Sequence, residues 1–400
     1  MSAPAKSDVV IFGGGVAGLW TRAALAGRGY SVALLECASL GADQTLASQG
    51  IIHAGIKYAL TGKAGRASRA LADAAAIWRP CLAGRRDPDL SRVSVLAERM
   101  HLWTTARKRS KLAAWAASKA MRSGVRKLSA SERGEALGGA PVNVDLYEVD
   151  EPVIDPAGLL TALLAAGTGP CAQITSEPEP TFKAMNGGST LVSTTLMGEQ
   201  RVEILAGRVL FCAGVGNESL LRAIGRDPVA LAQRRPLHMV LVRDAPIELH
   251  GHCIQRSDVP RLTITTSRCG SERVWLVGGD LAERGVERDR EAQIAAAKSE
   301  LSEVLGWLDL SGCGFDAFRI DRAEGRTDDA SRPDLPVILD LGGAIAVWPT
   351  KLALAPLAAA RVVELVEASG LVPTPGTGLT GVVEPVVGAR PWEGRAVSWS

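Results

Sequence analysis

Short apolar runs that read as buried strands recur along the chain, and most are followed by glycine or by a stretch with helical spacing. Asp8 to Phe12 (DVVIF) is apolar and β-branched, the pattern of a strand covered on both faces in a parallel sheet. It runs into Gly13-Gly14-Gly15-Val16-Ala17-Gly18, then a helical stretch (LWTRAALAGRG), then a second strand, Ser31 to Leu35, ending at Glu36. Lys63 to Trp78 and Lys108 to Arg122 read as helices. Between them Val93 to Ala97 and His101 to Thr105 alternate as antiparallel strands do. Leu146 to Ile154 reads as one strand leading into Asp155-Pro156, an N-cap with proline at the first helical position, and the helix AGLLTALLAAG. Arg208 to Ala213 is another buried strand, followed by Gly214-Val215-Gly216 and a helix from Asn217.

Three β-like segments come next, Pro236 to Arg243, Arg261 to Ser267 and Arg273 to Gly278, then a long amphipathic helix, Glu287 to Leu308. The chain returns to α/β character with a strand at Ala344 to Trp348 and a helix at Lys351 to Glu367. This order predicts an α/β fold. A Rossmann-like domain from 1–90, 150–230 and 325–370 is interleaved with a second α+β domain from 91–149 and 231–324, built on a mixed or antiparallel sheet. Residues 371–400 form a tail over the surface or partly disordered. A site is expected where the two domains meet.

Composition narrows the function. With 400 residues, 46% hydrophobic and 22% charged, the chain has globular proportions. A net charge of +2 argues against a general nucleic-acid binder. No apolar run reaches the roughly 18 residues of a membrane span, and no signal peptide is evident, so a cytoplasmic protein is expected. Seven scattered cysteines without a C-x-x-C read as reduced thiols, and with five histidines they show no metal-ligand spacing, so no metal is expected. The one strongly basic cluster is Arg107, Lys108, Arg109, Lys111, Lys119, Arg122, Arg126 and Lys127, read as a solvated helix face.

The first forty residues carry the sharpest chemistry. Strand, G-x-G-x-x-G, helix, strand and acid follow in the order that binds a dinucleotide. Gly13 permits the turn, Gly15 lets backbone approach a pyrophosphate, and Gly18 lets helix pack on strand. The helix N-terminus at Val16 and Ala17 offers N–H groups to phosphate, and Glu36 suits a ribose hydroxyl. An ordinary glycine turn is the competing reading.

Four blocks together resemble the FAD-dependent oxidoreductases of the D-amino-acid oxidase superfamily: the N-terminal fingerprint, Thr45 to Tyr58 (TLASQGIIHAGIKY), Val209 to Gly214, and Lys351 to Pro356 (KLALAP). The second is similar to the I-H-G-G or I-H-A-G segment of the glycerol-phosphate and hydroxyglutarate branches, the fourth to the K-[LF]-A-P helix start of sarcosine oxidase relatives. The resemblance implies FAD and hydride transfer from a small anionic substrate to flavin N5. The substrate would be a 2-hydroxy acid, an amino or N-methyl amino acid, or a phosphorylated polyol, and the electron acceptor oxygen or a quinone. It implies cofactor contacts at Ser48, Gln49, Gly50, Ala213, Gly214, Thr350 and Lys351. His53 would be the base, a covalent flavin tether or a structural histidine. Lys351 and Arg326 would hold the substrate anion, and His238 would face the cleft or be structural. Through a quinone, the basic cluster would be an interfacial helix. The sequence departs from the family at Val347-Trp348-Pro349-Thr350, where a glycine-rich turn is usual and proline removes a donor. An NAD-dependent dehydrogenase and a flavoprotein with structural FAD acting as a binding or assembly partner are the alternatives.

Overall fold

The computed structural model describes residues 3–55, 65–104, 125–141, 144–254, 259–393 and 399. Its first sheet is centred on the strand Ala5–Phe12, which pairs in parallel with Val32–Glu36 on one side and Arg201–Phe211 on the other. Cys171–Gln173 extends one edge; Ala344–Trp348 and Val337–Asp340 extend the other. The central strand shows why the run is apolar throughout. Val9 and Ile11 enter the core beneath the helices Val16–Ala26, Pro156–Ala166, Arg66–Leu82 and Ala355–Ala368. Val10 and Phe12 enter the opposite core, where Phe12, Phe182 and Phe211 pack edge to face. That face is covered by the hairpin strands Thr181–Ala184 and Thr190–Thr195.

The second sheet runs in the order Gly314–Gly325, Ala232–Arg243, Glu272–Gly278, Leu262–Cys269, Gly251–Ile254, Met100–Thr104, Leu146–Val149, Val125–Lys127. It is mixed, because Gly251–Ile254 and Met100–Thr104 pair in parallel. Alternation again sorts its residues. Val240 and Val242 pack toward the helix Arg290–Val304, whereas Met239 and Leu241 point to the first domain.

Both segments expected as antiparallel strands pair so: Val95–Ala97 with Val153–Ile154, and Met100–Thr104, in the second sheet, with Leu146–Val149. Two local expectations are corrected. The strand expected over 146–154 breaks at Glu151-Pro152 into two pieces in different sheets, because proline supplies no N–H to continue a ladder. Lys351 does not open a long helix. It precedes a single 3₁₀ turn, Leu352–Leu354, and the helix begins at Ala355. The helix expected at 108–122, the basic cluster as far as Arg122, and Ile56 to Tyr58 lie outside the described residues. Arg126 and Lys127 are paired with acids, Arg126 with Glu132 and Glu148 and Lys127 with Asp145.

Among its described residues, the tail is pinned at several points. Thr377 N–H donates to Lys6 O at 3.0 Å, and Gly388 N–H to Leu40 O at 3.0 Å. Arg390 reaches Asp155 at 2.8 Å, and Trp392 packs in the cluster between the domains. Among the described residues no helix is long and apolar enough to cross a membrane.

Candidate functional site

A cavity of about 390 Å³ lies between the two sheets. One end is built from backbone. Gly13, at φ +105°, lies so close to the strand end opposite that a Cβ would stand 2.5 Å from Ala213 Cα. A Cβ on Gly18 would collide with Gly13 O, so helix and strand meet at a separation only glycine allows. The helix Val16–Ala26 has neither a side-chain cap nor an acid in its first turn. Thr45 Oγ1 accepts the Val16 N–H at 3.2 Å. Glu36 accepts Gly14 N–H at 2.6 Å and Ala38 N–H at 2.8 Å, which fixes its carboxylate at the end of the second strand.

Gly13, Gly15, Val16, Ala17, Glu36, Ser48, Gln49, Gly50, Ala213, Gly214, Thr350 and Lys351 all line this cavity; Gly18 lies one turn behind it. Ser48 Oγ is buried and makes no hydrogen bond among the described residues. A helix N-terminus whose N-cap, Gly15, has no side chain, a glycine cradle and an orphaned hydroxyl facing one cavity suit the phosphates and hydroxyls of a dinucleotide. Gln49 differs from expectation. Its amide donates to Thr263 O at 3.0 Å and Leu276 O at 2.8 Å, so its N–H groups fasten the first domain to the second sheet.

The other end is built from side chains that the fold brings from distant positions. His53 and His252 line the cavity with rings nearly parallel, centroids 6.0 Å apart. Glu151, whose side chain is 2% exposed, lies 3.1 Å from His53 Nδ1, and His252 Nδ1 lies 2.8 Å from Thr263 Oγ1. One ligand-type atom from each of His53, Glu151 and His252 falls within 4.8 Å of the others, a cluster invisible in their sequence spacing.

Four cations line the same cavity: Arg235, Arg322, Arg332 and Lys351. Arg235 makes a two-pronged pair with the fully buried Glu324, at 2.7 and 3.1 Å. Arg322 donates to Glu283 at 3.1 Å. Burial, together with the neighbouring Arg235, pulls its guanidinium below the ordinary value, and Glu283 partly offsets this. Cys212 also lines the cavity, but full burial pushes its thiol up to about 12, so it stays protonated.

One residue expected on the substrate anion, Arg326, falls elsewhere, and His238 follows its structural reading. Arg326 is exposed beyond the end of Gly314–Gly325 and off the cavity, whereas Arg322, inside that strand, lines it. His238 is buried away from the cavity with Nδ1 3.0 Å from Gly285 O, and burial lowers its pKa. Sequence reading missed Glu151, His252, Arg235, Arg322 and Arg332. Strand alternation was the one available signal for Arg322, and Glu151 was hidden inside a supposed strand.

The segment before Lys351 turns tightly without a glycine. Thr350 adopts φ +66°, the left-handed region glycine favours, and Lys351 N–H donates to Pro349 O at 2.7 Å across it.

A family model described as FAD dependent oxidoreductase (DAO) matches residues 8–341. Over 393 residues the chain is 40% identical to the probable FAD-dependent oxidoreductase PA4991 of Pseudomonas aeruginosa, covering 97% of this chain and 98% of that one. The crystal structure of PA4991 superposes with a TM-score of 0.82 at 34% identity, over 98% and 99% of the two chains. Glycine oxidase from Geobacillus kaustophilus (17% identity, TM-score 0.64, 96% and 99% covered) shares the fold. So does L-α-glycerophosphate oxidase from Mycoplasma pneumoniae with FAD bound (15% identity, TM-score 0.63, 97% and 99% covered).

Proposed function

Because the chain belongs to the FAD-dependent oxidoreductase family, we propose that it oxidises a small anionic substrate: a 2-hydroxy acid, an amino or N-methyl amino acid, or a phosphorylated polyol. Oxygen or a quinone is the final acceptor. Family membership favours FAD over the nicotinamide alternative. The observation that carries the reading is one cavity that joins the glycine loop to His53, Arg332 and Lys351. The names of fold relatives point the same way, since glycine, glycerophosphate and iminodiacetate are all anions or zwitterions.

FAD, when bound by the glycine loop, Glu36, Ser48 and the 213–214 turn, supplies the acceptor for the hydride that leaves the substrate C–H. The protein supplies the rest. Lys351, Arg332, Arg235 and Arg322 together make this wall of the cavity positive and attract the substrate's carboxylate or phosphate, with Arg235 and Arg322 oriented by Glu324 and Glu283. His53 accepts the O–H or N–H proton. The apolar lining from Met239, Val347 and Trp348 excludes water around these groups.

The test begins with the visible spectrum of the purified protein before and after acid precipitation. Flavin released to the supernatant leaves His53 free to act as base; flavin held in the pellet makes His53 the leading candidate for a tether. Anaerobic mixing with glycine, sarcosine, L-2-hydroxyglutarate and glycerol 3-phosphate should bleach the flavin with one acid and not with its neutral amide or alcohol. Equal bleaching by the neutral analogue would sink the anionic reading. His53→Asn should slow the productive reaction on the order of 10²–10⁴-fold with FAD retained.

A further inference from the structure

We propose that Glu151 is a positioning residue that fixes the tautomer of His53 and so makes Nε2 the proton acceptor; this deepens the reading above and rests on His53 being the base. Segment 50–54 runs alongside 151–154. Ile154 N–H donates to Gly50 O and Ile52 N–H to Pro152 O, both at 2.9 Å. At the next rung a side chain replaces the backbone, and Ala54 N–H donates to Glu151 Oε1 at 2.9 Å. Oε2 is then directed at His53 Nδ1, 3.1 Å away.

A carboxylate offers only lone pairs, so the hydrogen in that contact belongs to Nδ1. A neutral imidazole protonated at Nδ1 carries its lone pair on Nε2. The Glu151 side chain is 2% exposed and that of His53 15%, so the contact is shielded while the histidine still lines the cavity. The ring of His252 lies nearly parallel and limits how His53 can turn. In the oxidation, the substrate O–H or N–H bond breaks, its electron pair stays to form C=O or C=N, and the proton bonds to Nε2. The C–H pair leaves as the hydride that the family's activity accounts for. The imidazolium so formed already touches a buried carboxylate, which stabilises it.

Glu151→Gln separates positioning from mere architecture. The amide oxygen still accepts Ala54 N–H, but the NH₂ now faces Nδ1 and donates to it. Nδ1 must then accept, and the hydrogen moves to Nε2. Long-range ¹⁵N–¹H correlation of the imidazoles in the FAD-loaded protein reads this directly, with only five histidines and His53→Gln for assignment. The expected result is Nδ1–H at His53 in the wild type, inverted in Glu151→Gln. With an acid that bleaches the flavin, the rate should fall on the order of 10⁴-fold, the scale of a wrong tautomer in a histidine–carboxylate pair.

Nε2–H in the wild type, or an unchanged pattern in the variant, overturns the proposal. A stoichiometric divalent metal in the purified protein, bound by the trio, overturns it as well. If the variant does not fold, the wild-type spectrum alone decides. Inversion with an unchanged rate removes His53 as base, and the catalytic part of the proposal fails with it.

Discussion

The two ends of the cavity are made of different material. The cofactor end is mostly one stretch of chain, residues 13–50, working through glycine geometry, a helix terminus and backbone N–H groups. The end proposed to be reactive is assembled from His53, backed by Glu151, and from His252, Arg235, Arg322 and Lys351, side chains drawn from both sheets, which dock across Gln49. A backbone site is written in local spacing; a side-chain site exists only once the tertiary structure does. Their weaknesses should differ accordingly. The reactive end depends on buried charge balance, the cofactor end on steric clearance.

The largest effect is expected at the reactive end. Glu324→Ala leaves Arg235, 21% exposed, beside the space its partner filled, and should destabilise the protein by about 3 kcal/mol or more in denaturant titration. The exposed pair Arg28–Glu367 is the control, and Glu367→Ala should cost less than about 1 kcal/mol. Equal effects would break the comparison, since buried charge would then have no special weight.

Gly13→Ala attacks the cofactor end. The new methyl meets Ala213 Cα at 2.5 Å in a backbone conformation alanine avoids. A strain of roughly 1–3 kcal/mol should lower FAD affinity about tenfold, measured by flavin content after dialysis. Because the clash is with the protein's own backbone at 212–213, fold stability should fall by a comparable amount.

How far each end could be read in advance follows from the same distinction. Asp8 to Gly18 and Glu36 were legible because each residue's role is set by neighbours in sequence. Asp155-Pro156 was legible too, and Asp155 does cap its helix through Ala157 and Gly158. Glu151 was not, because an apolar run on both sides disguised a break between sheets. Arg322 lies inside the strand that pairs with Ala232–Arg243 and lines the cavity, whereas Arg326 lies past the strand's end, a boundary that local spacing does not mark. The tail's composition suggested looseness, yet Asp8 holds it. Burial pushes the Asp8 carboxyl up, but donors from Thr374 and Ser31 together outweigh this and leave it below its usual value.

That anchor sharpens the comparison, because the tail backs the wall formed by Ser39, Ala42 and Leu46 at the cofactor end. Asp8 accepts Thr374 Oγ1–H at 2.6 Å, Thr374 N–H at 2.9 Å and Ser31 N–H at 2.8 Å. A carboxylate lowered by folding contributes stability that is present above its unfolded value, near pH 4, and lost as pH falls through the folded value. Acid should therefore expose the tail to limited proteolysis before the sheets unfold. Asp8→Asn should do the same at neutral pH, at a cost of about 1–2 kcal/mol. A tail whose protease resistance is the same at pH 3 and pH 7 would show that Asp8 does not pin it.

The smallest effect tests Thr350, where the two ends meet. A β-branched residue at φ +66° carries about 1–2 kcal/mol of backbone strain, offset in part by the bond from its hydroxyl to Leu335 O at 3.0 Å. Thr350→Ala loses the hydrogen bond and keeps most of the strain. Thr350→Gly loses the same bond, relieves the strain, and gives the unfolded chain about 0.5–1 kcal/mol of added freedom. Glycine should therefore equal or exceed alanine in stability, by up to about 1 kcal/mol, the reverse of their order at an extended strand position such as Val347. Alanine clearly above glycine would mean that this turn tolerates a side chain without strain. The left-handed turn would then be a feature of this chain's own sequence, not a glycine geometry retained without its glycine.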